Sequence, residues 1–451
     1  MGRLFGTDGV RGVVGVDLTC DLAFRLGQAG ACVLIGQNKR RPRILIGRDT
    51  RLSGTMLEAA MAAGICSVGA QAVSAGVIPT PGIAYLTRKL GFDAGVVISA
   101  SHNPYEFNGI KFFDGDGFKL SDSLEDEIEA IAQGIKPGPT EKTDMEVGVC
   151  RELSDAGRQY IDYLQNTTDV SLEGLRVVLD CANGAASGLA CTLFTEMGAE
   201  VVSKEDAPNG ININRRCGST HMQGLVQEIK KRKRHIGFAF DGDADRMLAV
   251  DENGEMIDGD KIMMICGYDL MRRGLLKDNT IVTTVMSNLG LDIAARDKGI
   301  GLEKTKVGDR YVLEKMIEGG YNFGGEQSGH LIFLDHNTTG DGMMSALQLA
   351  SVMKRTGKTL SELALIIKPL PQVLVNVRMS QQGKEDYASD ISIMEMIEAL
   401  SAKYNGTAGR VLIRPSGTEP LVRIMIEGSH QAEIEKDAHH LAALMKEHFP
   451  E

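Results

Sequence analysis

Five short runs of β-branched and aliphatic residues in this chain each break off abruptly at small, hydroxylic or acidic residues, and this repeated shape restricts the fold more than any other feature. They are RILIGRDTRLSG from Arg43, AGVVISASHNP from Ala94, LRVVLDCANGA from Leu175, HIGFAFDGDADR from His235 and TIVTTVMSNLG from Thr280. Helix-period segments lie between them: one runs from Ser123 with Leu124, Ile128 and Ile131 on one face, and others follow Leu153, Ser187 and Asp260. Strands apolar on both faces that alternate with helices predict repeated α/β units and a mainly parallel sheet. In such sheets ligands collect beyond the carboxyl ends of the strands, where the polar breaks fall.

Turn-rich stretches mark three joints: KPGPTEKTD from Lys136, DENGE from Asp251, which reads as a hairpin, and KPLPQ from Lys368. After the last, LVNVRM, RVLIRPSGTEP and LVRIMIEG read as alternating strands, and IEKDAHHLAALMKEHF as a closing amphipathic helix. The expected architecture is α/β, with domains at 1–150, 151–254 and 255–368, and a smaller α+β domain at 369–451. A chain of 451 residues with 43% hydrophobic and 24% charged residues has the means to bury several cores.

Charge narrows the partners. Sixty acids against 49 bases leave a net charge of −11, which argues against nucleic acid or an anionic membrane as a partner and requires local basic groups for any anionic ligand. The eight cysteines, at 20, 32, 66, 150, 181, 191, 217 and 266, form no CxxC pair and read as small buried thiols of a reducing compartment. MGRLFGTDG has no apolar signal core and no run of about 18 apolar residues occurs, so the expected location is the cytoplasm.

Four segments carry the chemistry. In DGDADR, Asp241, Asp243 and Asp245 alternate directly after an apolar run, and in extended chain this spacing aims three carboxylates one way. Converging carboxylates call for a hard cation such as Mg²⁺ or Ca²⁺, with an exposed acidic turn as the rival reading. An EF-hand loop would take Glu252 as its twelfth residue but fails at its sixth, where Arg246 stands in place of glycine. In ISASHNP, Ser101 ends a buried-looking strand beside His102, and on local grounds an ordinary Ser/Asn/Pro turn outweighs a nucleophile. In RPSGTEP, Arg414, Ser416, Gly417 and Thr418 suit a phosphate as well as they suit a plain hairpin. In GGEQSGH, Glu326, Ser328 and His330 alternate, fitting sugar hydroxyls or a polar strand edge equally. GKT at Gly357 lacks the upstream glycine of a P-loop, and neither GxGxxG nor HExxH is present.

Together and in this order, from FGTDGVRG at Phe5 to RPSGTEP at Arg414, these segments resemble the α-D-phosphohexomutases over essentially the whole chain. The resemblance implies three related mixed α/β domains around a central cleft and a mobile fourth domain that closes over the ligand. It makes Ser101 a phosphoserine donor and assigns one Mg²⁺ to Ser101, Asp241, Asp243 and Asp245. It sets Arg11 and Lys111 beside the transferring phosphate, Lys111 and His330 as proton-transfer groups, and Arg246 nearby. Val307, Gly308 and Asp309 of VGDR would orient the sugar, Glu326 and Ser328 would bind its hydroxyls, and Arg414, Ser416, Gly417, Thr418 and Arg423 would grip the other phosphate.

The implied reaction interconverts glucosamine 6-phosphate and glucosamine 1-phosphate through a glucosamine 1,6-bisphosphate, supplying amino-sugar nucleotide and cell-wall precursor synthesis. The spelling GEQSGH, with Gln327, separates this substrate from glucose or mannose phosphates, whose mutases are the alternative within the family. A phosphatase and a non-catalytic sugar-phosphate or Ca²⁺ sensor are the alternatives from other classes. The partner is a small-molecule sugar phosphate, and a homodimer is left open.

Overall fold

The computed structural model describes residues 4–6, 8–35, 41–404, 409–416 and 420–450. It comprises two compact units, Met1–Met286 with Ile300–Ile366, and Ser287–Gly299 with Ile367–Glu451.

The larger unit carries three sheets. The first orders its strands Phe5–Gly6, Gly9–Val13, Phe107–Asp114, Ala94–Ile98, Arg43–Arg48, Gln71–Val77 and Cys150–Glu152. The second runs Met256–Ile257, Met247–Asp251, Ile236–Phe240, Arg176–Asp180 and Glu200–Lys204, and the third Gly301–Thr305, Thr280–Thr284, Phe323–Gly325 and Leu331–Phe333. The parallel strands AGVVI, IGFAF and TIVTT are buried at every position, as expected of strands covered on both faces. On the first sheet, the helices Cys20–Ile35, Gly54–Ser67 and Asp122–Ala132 supply Leu26, Leu57, Met61 and Ile128 against Ile44, Ile46, Val96 and Ile98.

The sheets are mixed, not mainly parallel. In each, the last parallel strand turns back as an antiparallel neighbour: Ala94–Ile98 into Phe107–Asp114, Ile236–Phe240 into Met247–Asp251, and Phe323–Gly325 into Leu331–Phe333. The physical reason is loop length, because a parallel crossover needs about a dozen residues or more and segments 99–106, 241–246 and 326–330 are shorter. Three of the four chemistry-bearing segments fall on these three returns. The hairpin expected at DENGE is present, joining Met247–Asp251 to Met256–Ile257.

The smaller unit is a three-stranded antiparallel sheet, ordered Gln372–Arg378, Leu421–Glu427, Arg410–Pro415, with Ile391–Tyr404 and Gln431–His448 packed on it through Ile393, Leu400, Ile434, Ala438 and Leu441. It begins at Ile367, near the expected joint, and also takes Ser287–Gly299 from within the expected third domain. Asn288 explains the attachment: its side chain donates to the Leu370 carbonyl at 3.0 Å and accepts from the Leu370 N–H at 2.9 Å.

The expectation that the cysteines are buried needs correction: Cys66, Cys181, Cys217 and Cys266 are, whereas Cys20, Cys32 and Cys150 are exposed and Cys191 is half-buried. Cys20 and Cys32 lie on the exposed side of the helix Cys20–Ile35, and Cys150 lies on the edge strand Cys150–Glu152, which is exposed at all three positions. Among the described residues no helix is long and apolar enough to cross a membrane.

Candidate active site

Ser101 sits in the first return loop, buried, with its backbone in the left-handed region at φ 48°. A non-glycine residue held there stores strain of about 1–3 kcal/mol, so surrounding structure must impose it. The restraint is a buried polar clamp. The Ser101 carbonyl accepts from Arg51 Nη2 at 2.9 Å and Asn214 Nδ2 at 2.8 Å, and its N–H donates to Ser99 Oγ at 2.9 Å. Arg51 also donates to the carbonyls of Asn103 and Pro104 and pairs with Asp49 at 2.9 Å, with no side-chain exposure on either partner. The loop is pinned through its carbonyls, leaving the hydroxyl to face the second loop: Ser101 Oγ donates to Asp241 Oδ2 at 2.6 Å.

Asp241, Asp243 and Asp245 are buried, and each offers a carboxylate oxygen such that all lie within 4.8 Å of one another. They do not converge by extended alternation. The loop 241–246 is a turn, with Ala244 at φ 55° and the Ala244 N–H donating to the Asp241 carbonyl at 3.1 Å. Within 4.8 Å each ionised pair repels by at least about 3.5 kcal/mol at an effective dielectric near 20. Burial, then the neighbouring Asp245 and Asp243 charges, push Asp241 well above the usual carboxylate range. Asp243 Oδ2 accepts from Thr80 Oγ1 at 2.7 Å and Lys111 Nζ at 3.1 Å, while the buried Oδ1 atoms of Asp243 and Asp245 have no hydrogen-bond partner. Orphaned carboxylate oxygens beside a serine hydroxyl form the donor set of a hard divalent cation, so the residues present fit a metal. Glu252 takes no part, since its carboxylate is bound by Ser361.

Cations ring the triad. Lys111 Nζ lies 2.8 Å from Asp8, 3.1 Å from Asp243 and 3.9 Å from Asp245. Burial works against its charge, but these carboxylates outweigh it and hold its ammonium above the usual lysine range. Asp8 also binds Arg11 at 2.9 Å and Lys119 at 2.8 Å, and despite burial these cations keep it well below the usual carboxylate range. Arg11 reaches Asn103 at 3.2 Å, tying this array to the Ser101 loop. The Arg246 N–H donates to Asp241 Oδ1 at 3.1 Å, and its Nε lies 3.8 Å from Asp245.

The third return loop brings His330 in, with Nδ1 3.5 Å from Asp245 and Nε2 3.7 Å from Asp309. Burial opposes a charged ring, the Asp245 and Asp309 carboxylates favour it, and the balance raises its pKa. The Gly340 N–H donates to Nε2 at 3.0 Å, which places the ring proton of the neutral form on Nδ1, toward Asp245. Gly340 is required there, because a Cβ would lie 2.5 Å from the imidazole. Glu326 turns the other way and accepts from the Gly308 N–H at 3.0 Å, linking the loop to Val307, Gly308 and Asp309; Ser328 lies 3.5 Å from the same carboxylate. Asp309 also pairs with Lys119.

Ser101, the Asp triad, Lys111, Arg11, Arg246, Asp309 and His330 are therefore joined by direct polar contacts in the larger unit. In the smaller unit Arg414 and Arg423 are direct cross-strand partners and Ser416 is buried at the strand end. Gly417 and Thr418 lie outside the described residues. Asp8, Asp49, Arg51, Thr80, Lys119 and Asn214 belong to the site without having been singled out in the sequence. For Asp49 and Arg51 a signal existed, since RDTR breaks an apolar strand as the other site loops do.

Family models for phosphoglucomutase/phosphomannomutase match in order: α/β/α domain I at residues 2–138, domain II at 158–254, domain III at 258–369 and the C-terminal domain at 374–444. The chain is 57% identical to a phosphoglucosamine mutase of Clostridium novyi (strain NT) and 56% identical to one of Clostridium botulinum (strain 657 / Type Ba4), in each case over 99% of both chains. A crystal structure of a phosphoglucomutase/phosphomannomutase family protein from Burkholderia thailandensis superposes with a TM-score of 0.82 at 25% identity, covering 98% of each chain. With the domain models in this order and such identity along its length, the chain belongs to the phosphoglucomutase/phosphomannomutase family, the α-D-phosphohexomutases, and is an enzyme of the isomerase class.

Proposed function

We propose that this enzyme interconverts glucosamine 6-phosphate and glucosamine 1-phosphate, the activity named for its Clostridium relatives, through phospho-Ser101 and a glucosamine 1,6-bisphosphate. The observation that carries the reading is the 2.6 Å contact between Ser101 Oγ and Asp241 inside a buried, cation-ringed carboxylate triad. In the proposed division of labour, residues 1–150 present Ser101, 151–254 the acidic loop, 255–368 the sugar loop, and 369–451 the grip on the phosphate that is not reacting.

Asp241, Asp243, Asp245 and an oxygen on Ser101 would hold one Mg²⁺, which when bound supplies Lewis-acid neutralisation of phosphoryl charge. The remaining work falls to side chains. Phosphoserine carries roughly −1.5 to −2 charges at neutral pH, and Lys111, Arg11 and Arg246 offset the repulsion between it and an incoming sugar phosphate. His330, whose Nδ1 lies 3.5 Å from Asp245, and Lys111 would exchange a proton with the sugar hydroxyl as its oxygen takes or gives up the phosphoryl group. Glu326, Ser328 and the Val307–Asp309 backbone orient the sugar. Arg414, Ser416, Gly417, Thr418 and Arg423 hold the second phosphate. Arg414 and Arg423, directly opposite on neighbouring strands, would bring two cations to that phosphate. The bisphosphate then turns over, so that each phosphate visits both sites. The enzyme acts in the cytoplasm, where its sugar phosphates are made.

Turnover of glucosamine, glucose and mannose phosphates under one condition tests the substrate. The reading expects at least a tenfold preference in kcat/KM for glucosamine, about 1.4 kcal/mol; an equal preference for a neutral hexose overturns it in favour of a phosphoglucomutase/phosphomannomutase.

A further inference from the structure

Two thiols meet at the other end of the first sheet from Ser101. Cys150 pairs with Ala72 near the start of Gln71–Val77, level through Ile44 with Ala94, whereas Ser101 follows the finish of the strand Ala94–Ile98. Cys66, near the end of the helix Gly54–Ser67, has its Sγ 3.5 Å from that of Cys150. Cys66 is buried and Cys150 is exposed, and both are free thiols. The two backbones are already fastened together. The Gly148 N–H donates to the Cys66 carbonyl at 2.8 Å, the Lys142 N–H to the Ser67 carbonyl at 2.7 Å, and the Ala72 N–H to the Val149 carbonyl at 3.1 Å. Gly148 permits this approach, because a Cβ there would lie 1.7 Å from the Ala70 carbonyl oxygen. A disulfide needs sulfurs about 2.05 Å apart, so closure asks for a movement of roughly 1.5 Å, within reach of side-chain rotation.

We infer that Cys66 and Cys150 form an oxidisable dithiol, which a hydroperoxide converts to a disulfide that ties the edge strand Cys150–Glu152 to the helix Gly54–Ser67. The exposed Cys150 thiolate attacks a peroxide oxygen, the O–O bond breaks, and the departing hydroxide takes up a proton as water, leaving Cys150 as a sulfenic acid. The Cys66 sulfur then attacks the Cys150 sulfur, the S–O bond breaks, and hydroxide leaves with the Cys66 proton as a second water. Two thiols lose two electrons and hydrogen peroxide gains them. Burial, and the neighbouring Cys150 thiol, push Cys66 up to about 11, which suits the resolving role and leaves the first attack to Cys150. The bond would close a loop between residues 84 apart in sequence, a loop that includes Ser101 and Lys111, and would restrict the unfolded chain without touching the catalytic loops.

The test treats the full chain with a small excess of hydrogen peroxide. The expected result is loss of two thiols and two hydrogens, a proteolytic peptide linking Cys66 to Cys150, and a Tm raised by several degrees that dithiothreitol reverses, with turnover unchanged. Cys150→Ser should form no link and show no rise in Tm, while Cys66→Ser should stop at a Cys150 sulfenic acid that dimedone captures. The inference is overturned if Cys150 proceeds to sulfinic acid in the wild-type chain without linking, if other cysteines account for the lost thiols, or if the linked protein is no more stable than the reduced one.

Discussion

Replacing Arg51 by methionine should expose how the Ser101 loop is held. The guanidinium is fully buried, donates to Asp49 at 2.9 Å and reaches the carbonyls of Ser101, Asn103 and Pro104 at 2.9, 2.9 and 2.7 Å. Methionine fills the space of the stem but leaves Asp49 buried without a counter-charge, a change that costs about 3–5 kcal/mol where one partner of a buried pair is removed. Asn214 still serves the Ser101 and Asn103 carbonyls and the Phe107 N–H still serves that of Pro104, so no carbonyl is left without a donor and the cost rests on Asp49. The expected loss is therefore about 4 kcal/mol in the first urea transition at pH 7.5. Its pH dependence follows from Asp49. Burial, against the pull of Arg51, already raises this carboxyl in the folded protein, and removing Arg51 raises it further. A raised acid is penalised where it must ionise, so the loss should grow with pH by up to about 1.4 kcal/mol per unit and be smallest near pH 5. Adding Asp49→Asn removes the stranded charge and should recover at least half of the loss. A deficit below about 1 kcal/mol, one independent of pH, or purely additive single variants would refute the clamp.

Three further outcomes are expected. Thr80→Val leaves the Asp243 carboxylate held by Lys111 alone and should lower kcat about tenfold with little change in sugar-phosphate KM, together with weaker Mg²⁺ binding in a metal titration; Asp243→Asn should lower kcat further. Arg414→Ala should mainly raise KM, read from initial rates, because its proposed role is to hold the phosphate that is not reacting. Asp341, buried beside Tyr160 at 2.8 Å, is pushed up to about 6, chiefly by burial, so the folded chain binds its proton more tightly than the unfolded chain and that stabilisation fades as pH rises through about 6. Asp341→Asn should therefore gain stability relative to wild type between pH 4.5 and 7.5, by about 2–3 kcal/mol in urea unfolding, and an unchanged difference across that range would contradict it.

What the sequence made legible follows from locality. The apolar strands, the loops at their ends and the helix at Asp122–Ala132 are written in short windows of residue type and spacing. The acidic triad was legible for the same reason, although the chain gathers it through a left-handed turn at Ala244 and not through extended alternation. The antiparallel returns were implicit in loops too short to cross over. Thr80 and Asn214, by contrast, reach Asp243 and Ser101 across 163 and 113 residues, and nothing local distinguishes them from ordinary polar residues. The attachment of Ser287–Gly299 to the smaller unit is equally non-local, resting on Asn288 and the buried Glu427, which accepts from the Leu289 N–H.

The central claim is that the hydroxyl of Ser101 carries the phosphoryl group between the two ends of the sugar. Intact-mass and peptide analysis after incubation with glucosamine 1,6-bisphosphate and Mg²⁺ examines it directly. The expected result is one phosphoryl group, on Ser101, that passes to added glucosamine 6-phosphate or glucosamine 1-phosphate without release of inorganic phosphate, and none on Ser101→Ala. A chain that stays unmodified, takes the group at another residue, or discharges it to water would contradict the account.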